Sequence, residues 1–228
     1  MKILVIDVGG THVKLSATGH KRQIKIPSGS KMSANKMVAT VQKIIAGWKY
    51  DVITIGYPGP VLHGHIVGGP HNLGPGWITF NFKKTFGCPV KIINDAAMQA
   101  LGSYEGRSML FLGLGTGLGS AMIVDGVLEP MELAHLPYKK GRTYEDYVGL
   151  AGLKRLGKKK WRRQANKTVK LLKAALEADY VVLGGGNARL LKKLPPGSRV
   201  GDNANAFRGG LRLWSKKQIR PTRERFGN

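Results

Sequence analysis

Two stretches of this chain share one layout. DVGGTHVKLSATG begins at Asp7 and LGLGTGLGSAMIVDG at Leu112, and in each an apolar run meets a glycine-rich turn and continues into a second short run. The glycines invite comparison with the dinucleotide fingerprint G-x-G-x-x-G, which must open a helix onto a pyrophosphate. Counted from Gly113 the last position of that pattern is Leu118, and from Gly115 it is Ser120. The residues that follow, Ser120 to Val124, lead into Asp125-Gly126 and read as a strand entering a tight turn. The P-loop pattern fails as well, since no Lys follows the glycines. Each stretch is therefore expected to be a β-hairpin whose bare backbone amides can approach an anion.

The rest of the chain fits around these hairpins as two α/β halves. Met1 to Asp7 is an apolar strand, and Ser33 is placed to cap a helix carrying Met37, Val41, Ile44, Ile45 and Trp48 on one face. DVITIGYPGPV reads as a buried strand ending in a turn, GGPHNLGPGW (Gly68 to Trp77) as a shaped loop, and VKIIND as a further buried strand. A short helix, AAMQALGSYEG, follows, so Asp95 falls where a strand ends and a helix begins. Chemistry in open α/β sheets gathers at such strand ends. After the second hairpin, VKLLKAALEA is an amphipathic helix, DYVVLGGGN a strand with a third glycine turn, and ARLLKKL a short helix.

Charge is the compositional outlier. Lys and Arg number 37 against 13 Asp and Glu, a formal net charge of +24, which attracts polyanions such as nucleic acid, anionic membrane or a phosphate polymer. The excess concentrates between Asp146 and Glu177, a stretch without a single acid that includes LKRLGKKKWRRQANKTVKLLK, and in the terminal KKQIRPTRERFGN. A solvated basic face is the plain alternative. A hydrophobic fraction of 42% argues for a globular chain, and no apolar run approaches the about 18 residues of a membrane helix. With Cys88 as the only cysteine, no internal disulfide can form, and a reducing cytoplasm is expected.

Five segments, in order, resemble the motifs of the ROK sugar kinases (repressors, open reading frames, kinases). DVGGTHVK is similar to their first phosphate motif, INDAAMQALGSYEG to the segment with the catalytic Asp, and LGLGTGLGSAMIVDG to the second phosphate motif. ELAH resembles the E-x-G-H sugar motif and LGGGN the adenosine or distal-phosphate loop. NLGPGW, from Asn72 to Trp77, resembles a loop of the polyphosphate glucokinase branch. The resemblance implies an actin/hexokinase-type (ribonuclease H-like) fold, with duplicated α/β domains around a central cleft. It implies a first domain over 1–94, a second over 95–204, a helix near 205–216 returning to the first, and a basic tail at 217–228.

Carried over residue by residue, the resemblance makes Asp95 the general base, a position that also suits helix capping. It assigns donor phosphate to Asp7, Gly9, Gly10, Thr11 and Lys14, to Gly115, Thr116 and Gly117, and to Gly185 and Gly186. Lys14 could equally face solvent or pair structurally. Asp7 is also expected to hold Mg²⁺, directly or through water. Asn72, Asn94, Asp95, Glu132 and His135 are the expected glucose contacts, Glu132 and His135 sharing a face if that stretch is helical, although Pro137 forbids a long helix. His12, His20, His63, His65 and His71 receive no role. Relatives with a cysteine-rich zinc motif place it soon after the motif histidine; LPYKKGRTYEDYVG has no cysteine there, so no zinc is expected, and Ala134 stands where the motif has glycine.

The implied activity is a glucokinase using polyphosphate, ATP or both with Mg²⁺, as a cytoplasmic homodimer without a membrane or specific nucleic-acid partner. A strictly ATP-dependent hexose kinase is the alternative. A sugar-responsive DNA-binding regulator is a further one, but such relatives carry a helix-turn-helix region ahead of the first phosphate loop, and none is expected here. KKKWRR, with Trp161 available for stacking, could still touch nucleic acid nonspecifically.

Overall fold

The computed structural model describes residues 1–20, 22–70, 72–202 and 204–215, together with the backbone of 220–221. Its contacts divide the chain into two compact units, Met1–Met98 and Gln99–Asn228.

In the first unit, β1 (Ile3–Val8) is buried along its whole length, as is β4 (Val52–Tyr57). Apart from Asp7 in β1 and Thr54 and Gly56 in β4, both are apolar runs, because parallel strands inside an α/β sheet are covered on both faces. β2 (His12–Ala17) alternates buried positions with exposed His12 and half-buried Lys14 and Ser16 instead, and pairs antiparallel with β1 and with β3 (Ile24–Pro27). With β7 (Val90–Asn94) the sheet order is β3-β2-β1-β4-β7, and β1, β4 and β7 run parallel. Between β3 and β4 lies α1 (Ala34–Ile44), capped by the Ser33 side chain, which accepts from the Lys36 amide; the helix ends before Trp48, which stacks instead on His20. A small hairpin of β5 (Val61–Leu62) and β6 (His65–Ile66) and the short helix α2 (Phe82–Phe86) lie between β4 and β7. The core of this unit gathers Leu4, Ile6, Leu15, Met37, Ile55 and Trp77.

The second unit repeats the plan. α3 (Asp95–Ser103) leads from the first unit into β8 (Ser108–Leu114), β9 (Leu118–Val124) and β10 (Val127–Met131), an antiparallel meander. A 3₁₀ turn (Leu133–His135), the strand pair β11 (Pro137–Lys139) and β12 (Arg142–Thr143), and the helices α4 (Tyr144–Val148) and α5 (Leu150–Ala175) come next. β13 (Tyr180–Gly184) and β14 (Ser198–Val200) then add in parallel on the far side of β8. The run β10-β9-β8-β13-β14 thus has the connectivity of β3-β2-β1-β4-β7, and backbone at Arg220–Pro221 (β15) extends its β10 edge.

Two helical expectations change. The amphipathic helix expected only over VKLLKAALEA extends back to Leu150 as a 26-residue element, broken at Gly157 where φ is 71°. Trp161, Ala165, Thr168, Val169 and Leu172 form its buried stripe, so Trp161 is core and unavailable for stacking on nucleic acid; its Nε1–H donates to the Val148 carbonyl at 2.9 Å. ARLLKKL forms only a 3₁₀ turn over Ala188–Leu190, and the chain is already extended at Leu191. A helix does form within the expected 205–216, as α6 (Asn205–Arg212); Asn205 bonds to Ser103, and Arg212 to the carbonyls of Leu101 and Tyr104. The tail at 217–228 lies outside the described residues apart from the backbone at 220–221.

Candidate active site

The carboxyl ends of β1, β4 and β7 build one end of the first unit. Asp7, 5% exposed, lies opposite Lys14 on β2 and Gly56 on β4, and Gly56 in turn lies opposite Ile93 on β7. Lys14 Nζ reaches Asp7 Oδ2 at 3.0 Å, so of the open alternatives for this lysine the structural pair is the one formed. Gly56 keeps the other side clear: a Cβ there would lie 3.7 Å from Asp7 Oδ1 and collide with the Met98 side chain. Among the described residues, no group of three His, Cys, Asp or Glu could hold a metal ion. One buried carboxylate with an oxygen on a lysine fits only a cation that keeps most of its ligands as water and donor phosphate, which is the habit of Mg²⁺.

The first glycine turn follows directly. The Gly9 amide is spent inside the hairpin on the His12 carbonyl at 3.0 Å, and the Gly9 carbonyl accepts from the Ser28 hydroxyl. Among the described residues, the N–H groups of Gly10 and Thr11 make no such turn bond, so these two are the donors the turn holds out. Gly10 is constrained by its neighbour, because a Cβ there would sit 3.2 Å from Asn72 Cβ. Asn72 is held in place by the loop that carries it: Trp77 is 1% exposed, its Nε1–H donates to the Gly74 carbonyl at 2.8 Å, and Gly74 packs on the Met32–Ser33 backbone. Beside it, Tyr57 donates its hydroxyl to the Gly68 carbonyl, and burial pushes its phenol up to about 12.

At the end of β7, Asn94 and Asp95 divide the work. Asn94 Oδ1 accepts from the amides of Ala96 and Ala97 at 2.9 and 3.1 Å, so Asn94 is the side chain that caps α3. Its Nδ2 donates to the Gly59 carbonyl, tying the turn after β4 to the strand end. Asp95, half-buried at the first helical position, accepts from the Ala96 amide with one oxygen at 2.8 Å. Asp7, on β1, and Asp95, the residue after β7, thus lie at the carboxyl ends of strands two spacings (about 10 Å) apart in the sheet.

In the second unit, the hairpin at Gly115–Gly117 is closed by the Gly115 amide on the Gly117 carbonyl. Beneath it lies a carboxylate for which sequence reasoning had no signal. Glu145 Oε2 accepts from the Leu118 amide at 2.9 Å and lies where a Cβ on Gly117 would fall. Its helix is fixed by a capping box between Thr143 and Asp146, and the Thr143 amide and hydroxyl hold the Asp146 carboxyl below its usual range. The third glycine turn packs on the second. The Asn187 amide donates to the Leu114 carbonyl and its Nδ2 to the Gly115 carbonyl, each at 2.9 Å. Gly185, at φ 79°, admits no Cβ against Leu114. Gly184, Gly185, Gly186 and Arg189 help to line a cavity of about 110 Å³.

Glu132 and His135 meet across the 3₁₀ turn, His135 Nε2 lying 3.9 Å from Glu132 Oε2 with both side chains exposed. Three residues per turn align i with i+3, so one turn suffices, and it ends before Pro137 starts β11. His12 touches Thr11, His20 stacks on Trp48, and His63 and His65 lie on the β5–β6 hairpin, while His71 is outside the described residues.

Two α/β units with the same strand order, each opening on a glycine hairpin, define a protein of the actin/hexokinase-type fold. Within that class, the ROK family model matches residues 3–129, more than half of the chain, and the chain belongs to the ROK family. It is 28% identical over 214 residues to the polyphosphate glucokinase of Mycobacterium tuberculosis, covering 84% of this chain and 80% of that protein. Its fold matches the inorganic polyphosphate/ATP-glucomannokinase of an Arthrobacter strain with a TM-score of 0.78 at 21% identity, over 93% of this chain and 97% of the other. It also matches a ROK family glucokinase from Streptomyces griseus, solved with glucose and AMPPNP, with a TM-score of 0.75 at 17% identity over 93% and 99% of the two chains.

Proposed function

We propose that this chain is a sugar kinase that transfers a phosphoryl group from polyphosphate, ATP or both to the 6-hydroxyl of glucose. The observation that carries this reading is the division of labour at the end of β7. Asn94 caps the helix through the Ala96 and Ala97 amides, and Asp95 stands next to it at the end of β7 as a half-buried carboxylate with one oxygen on the Ala96 amide. Asp95 accepts the proton of the sugar hydroxyl as its oxygen attacks the terminal phosphorus. The bond from that phosphorus to its bridging oxygen breaks, releasing ADP or a polyphosphate one unit shorter. In so loose a transition state the proton leaves late, and orientation matters more than basicity.

Gly10 and Thr11 offer amides to donor phosphate in the first unit, and the turns at Gly115–Gly117 and Gly185–Gly186 do so in the second. Lys14 holds Asp7 in place, and Asp7 is the carboxylate that would receive Mg²⁺ through water. Bound there, the ion supplies positive charge to the donor phosphates. Asn72, Asn94, Glu132 and His135 are the candidate glucose contacts. Similarity to the Mycobacterium tuberculosis polyphosphate glucokinase supports both glucose and polyphosphate. The AMPPNP bound to the Streptomyces griseus protein favours ATP as a second or sole donor.

No helix of the described residues is long and apolar enough to cross a membrane. Cytoplasmic location and a homodimer belong to the same proposal. Burial of Trp161 and Tyr147, the aromatic residues between Asp146 and Glu177, removes the stacking platform that a nucleic-acid regulator would want.

The test is a matrix of donors against sugars with the wild type and Asp95→Asn. Glucose should be phosphorylated from polyphosphate or ATP, and the variant should lose about 10²–10⁴-fold in turnover while still binding glucose. Turnover retained in Asp95→Asn would reduce Asp95 to a structural residue. A rate with ATP and none with polyphosphate would select the strictly ATP-dependent reading.

A further inference from the structure

The glycine turns and Asp95 account for the reacting end of a donor, yet they use none of the charge on α5. Lys159, Arg163, Lys167 and Lys170 are all exposed and follow one another at i, i+4, i+8 and i+11, a single stripe about 16 Å long. Like charges at that spacing repel and weaken a helix. No compensation is at hand: the ion pairs among the described residues involve none of these side chains, and the sequence holds no acid between Asp146 and Glu177.

The stripe is joined to the third glycine turn. Beside it on the same helix, Arg162 Nε donates to the Leu190 carbonyl at 2.6 Å and Asn166 Nδ2 to the Lys193 carbonyl at 3.1 Å. These bonds lay the segment bearing Arg189, Lys192 and Lys193 along the helix. At one end of that segment, Arg189 lines the cavity at Gly184–Gly186. At the other, Lys170, Lys173, Pro195 and Pro196 line an open groove of about 440 Å³, where Glu177 supplies the first carboxylate.

We infer that this stripe holds the trailing part of a long inorganic polyphosphate chain whose terminal residue reacts elsewhere, an assignment that rests on the polyphosphate reading above. The surface offers cations at regular intervals and, with Trp161 buried, no exposed aromatic ring on the basic run; it matches a polyanion without bases and lacks the stacking platform of a single-stranded nucleic-acid site.

The test replaces Lys159, Arg163, Lys167 and Lys170 together by Gln in the full chain and compares long-chain polyphosphate with tripolyphosphate as donors. KM for the long chain should rise about tenfold or more, and its salt dependence should flatten by about one unit of slope for each phosphate-binding cation removed. KM for tripolyphosphate and for glucose should stay within about twofold, because charge removed from an exposed stripe leaves the reacting end intact. Equal change for long and short donors would overturn the assignment. If wild-type protein uses only ATP, the donor reading fails separately, and binding of fluorescently labelled long-chain polyphosphate then decides the stripe. Weaker binding by the variant supports it, whereas equal binding overturns it. Single-stranded RNA that binds the wild type more tightly than polyphosphate of equal charge also overturns it.

Discussion

Gly117→Ala should be destabilising in the wild-type chain and stabilising once Glu145 is removed. A Cβ at Gly117 would fall 2.2 Å from Glu145 Oε2, so the carboxylate must swing away and release the Leu118 amide, now bonded at 2.9 Å. A hydrogen bond to a charged group contributes about 1.5–3 kcal/mol. Gly117 does not have a positive φ, so alanine suits its backbone, and the less flexible unfolded chain returns about 0.4–1 kcal/mol. The net loss is about 1–2 kcal/mol, a fall of about 2–8 °C in Tm for a chain of this size. In a Glu145→Ala background the clash and the bond are both absent, and only the gain of about 0.4–1 kcal/mol remains. Urea unfolding of the four proteins of this double-mutant cycle, followed by far-ultraviolet circular dichroism, measures the difference. Equal destabilisation by Gly117→Ala in both backgrounds would refute the proposed coupling between the turn and Glu145.

Two further outcomes concern titration and burial. The Asp146 carboxyl is held below its usual range by Thr143, so its stabilisation is complete above the unfolded value and lost as pH falls through the lower folded one. The Tm gap between wild type and Asp146→Asn should therefore be widest near neutrality and close at acid pH; a gap independent of pH would contradict it. Tyr57, pushed up to about 12, should be the last tyrosine to ionise in an ultraviolet titration, with stability constant below pH 10 and falling as pH rises towards 12. Tyr57→Phe should remove that late step and cost about 1 kcal/mol through the orphaned Gly68 carbonyl; an unchanged titration would mean another tyrosine carries it.

The two hairpins were legible because glycine turns between apolar runs leave few alternatives, and β1 and β4 because strands covered on both faces are predominantly apolar. α5 was only partly legible: its buried positions recur with helical spacing, but Lys and Arg fill the gaps between Trp161, Ala165 and Val169 and lower the overall hydrophobicity, so the charge stands out and the narrow buried stripe does not. ARLLKKL suits a helix by composition, but the carbonyls of Leu190 and Lys193 accept from Arg162 and Asn166 of α5, contacts between distant segments that the local pattern does not show. At the site, motif position and strand-end geometry marked Asp7, Asp95 and the glycines. Asn94 as the cap of α3 could have been read from its place one residue before the helix. Glu145 could not, because its bond to Leu118 spans 27 residues and depends on how α4 docks beneath β9.

The matched strand orders also set the sequence in which the sheets can close. During synthesis, β1, β2 and β3 emerge as a local meander, and β4 and β7 complete that sheet before residue 98. The second meander waits longer: β8 ends at Leu114, but its parallel partner β13 starts only at Tyr180, after all of α5. Until then β8 presents a bare hydrogen-bonding edge, the kind of surface on which chains mispair and aggregate. A nascent chain of this protein is therefore most vulnerable while its longest helix is being made.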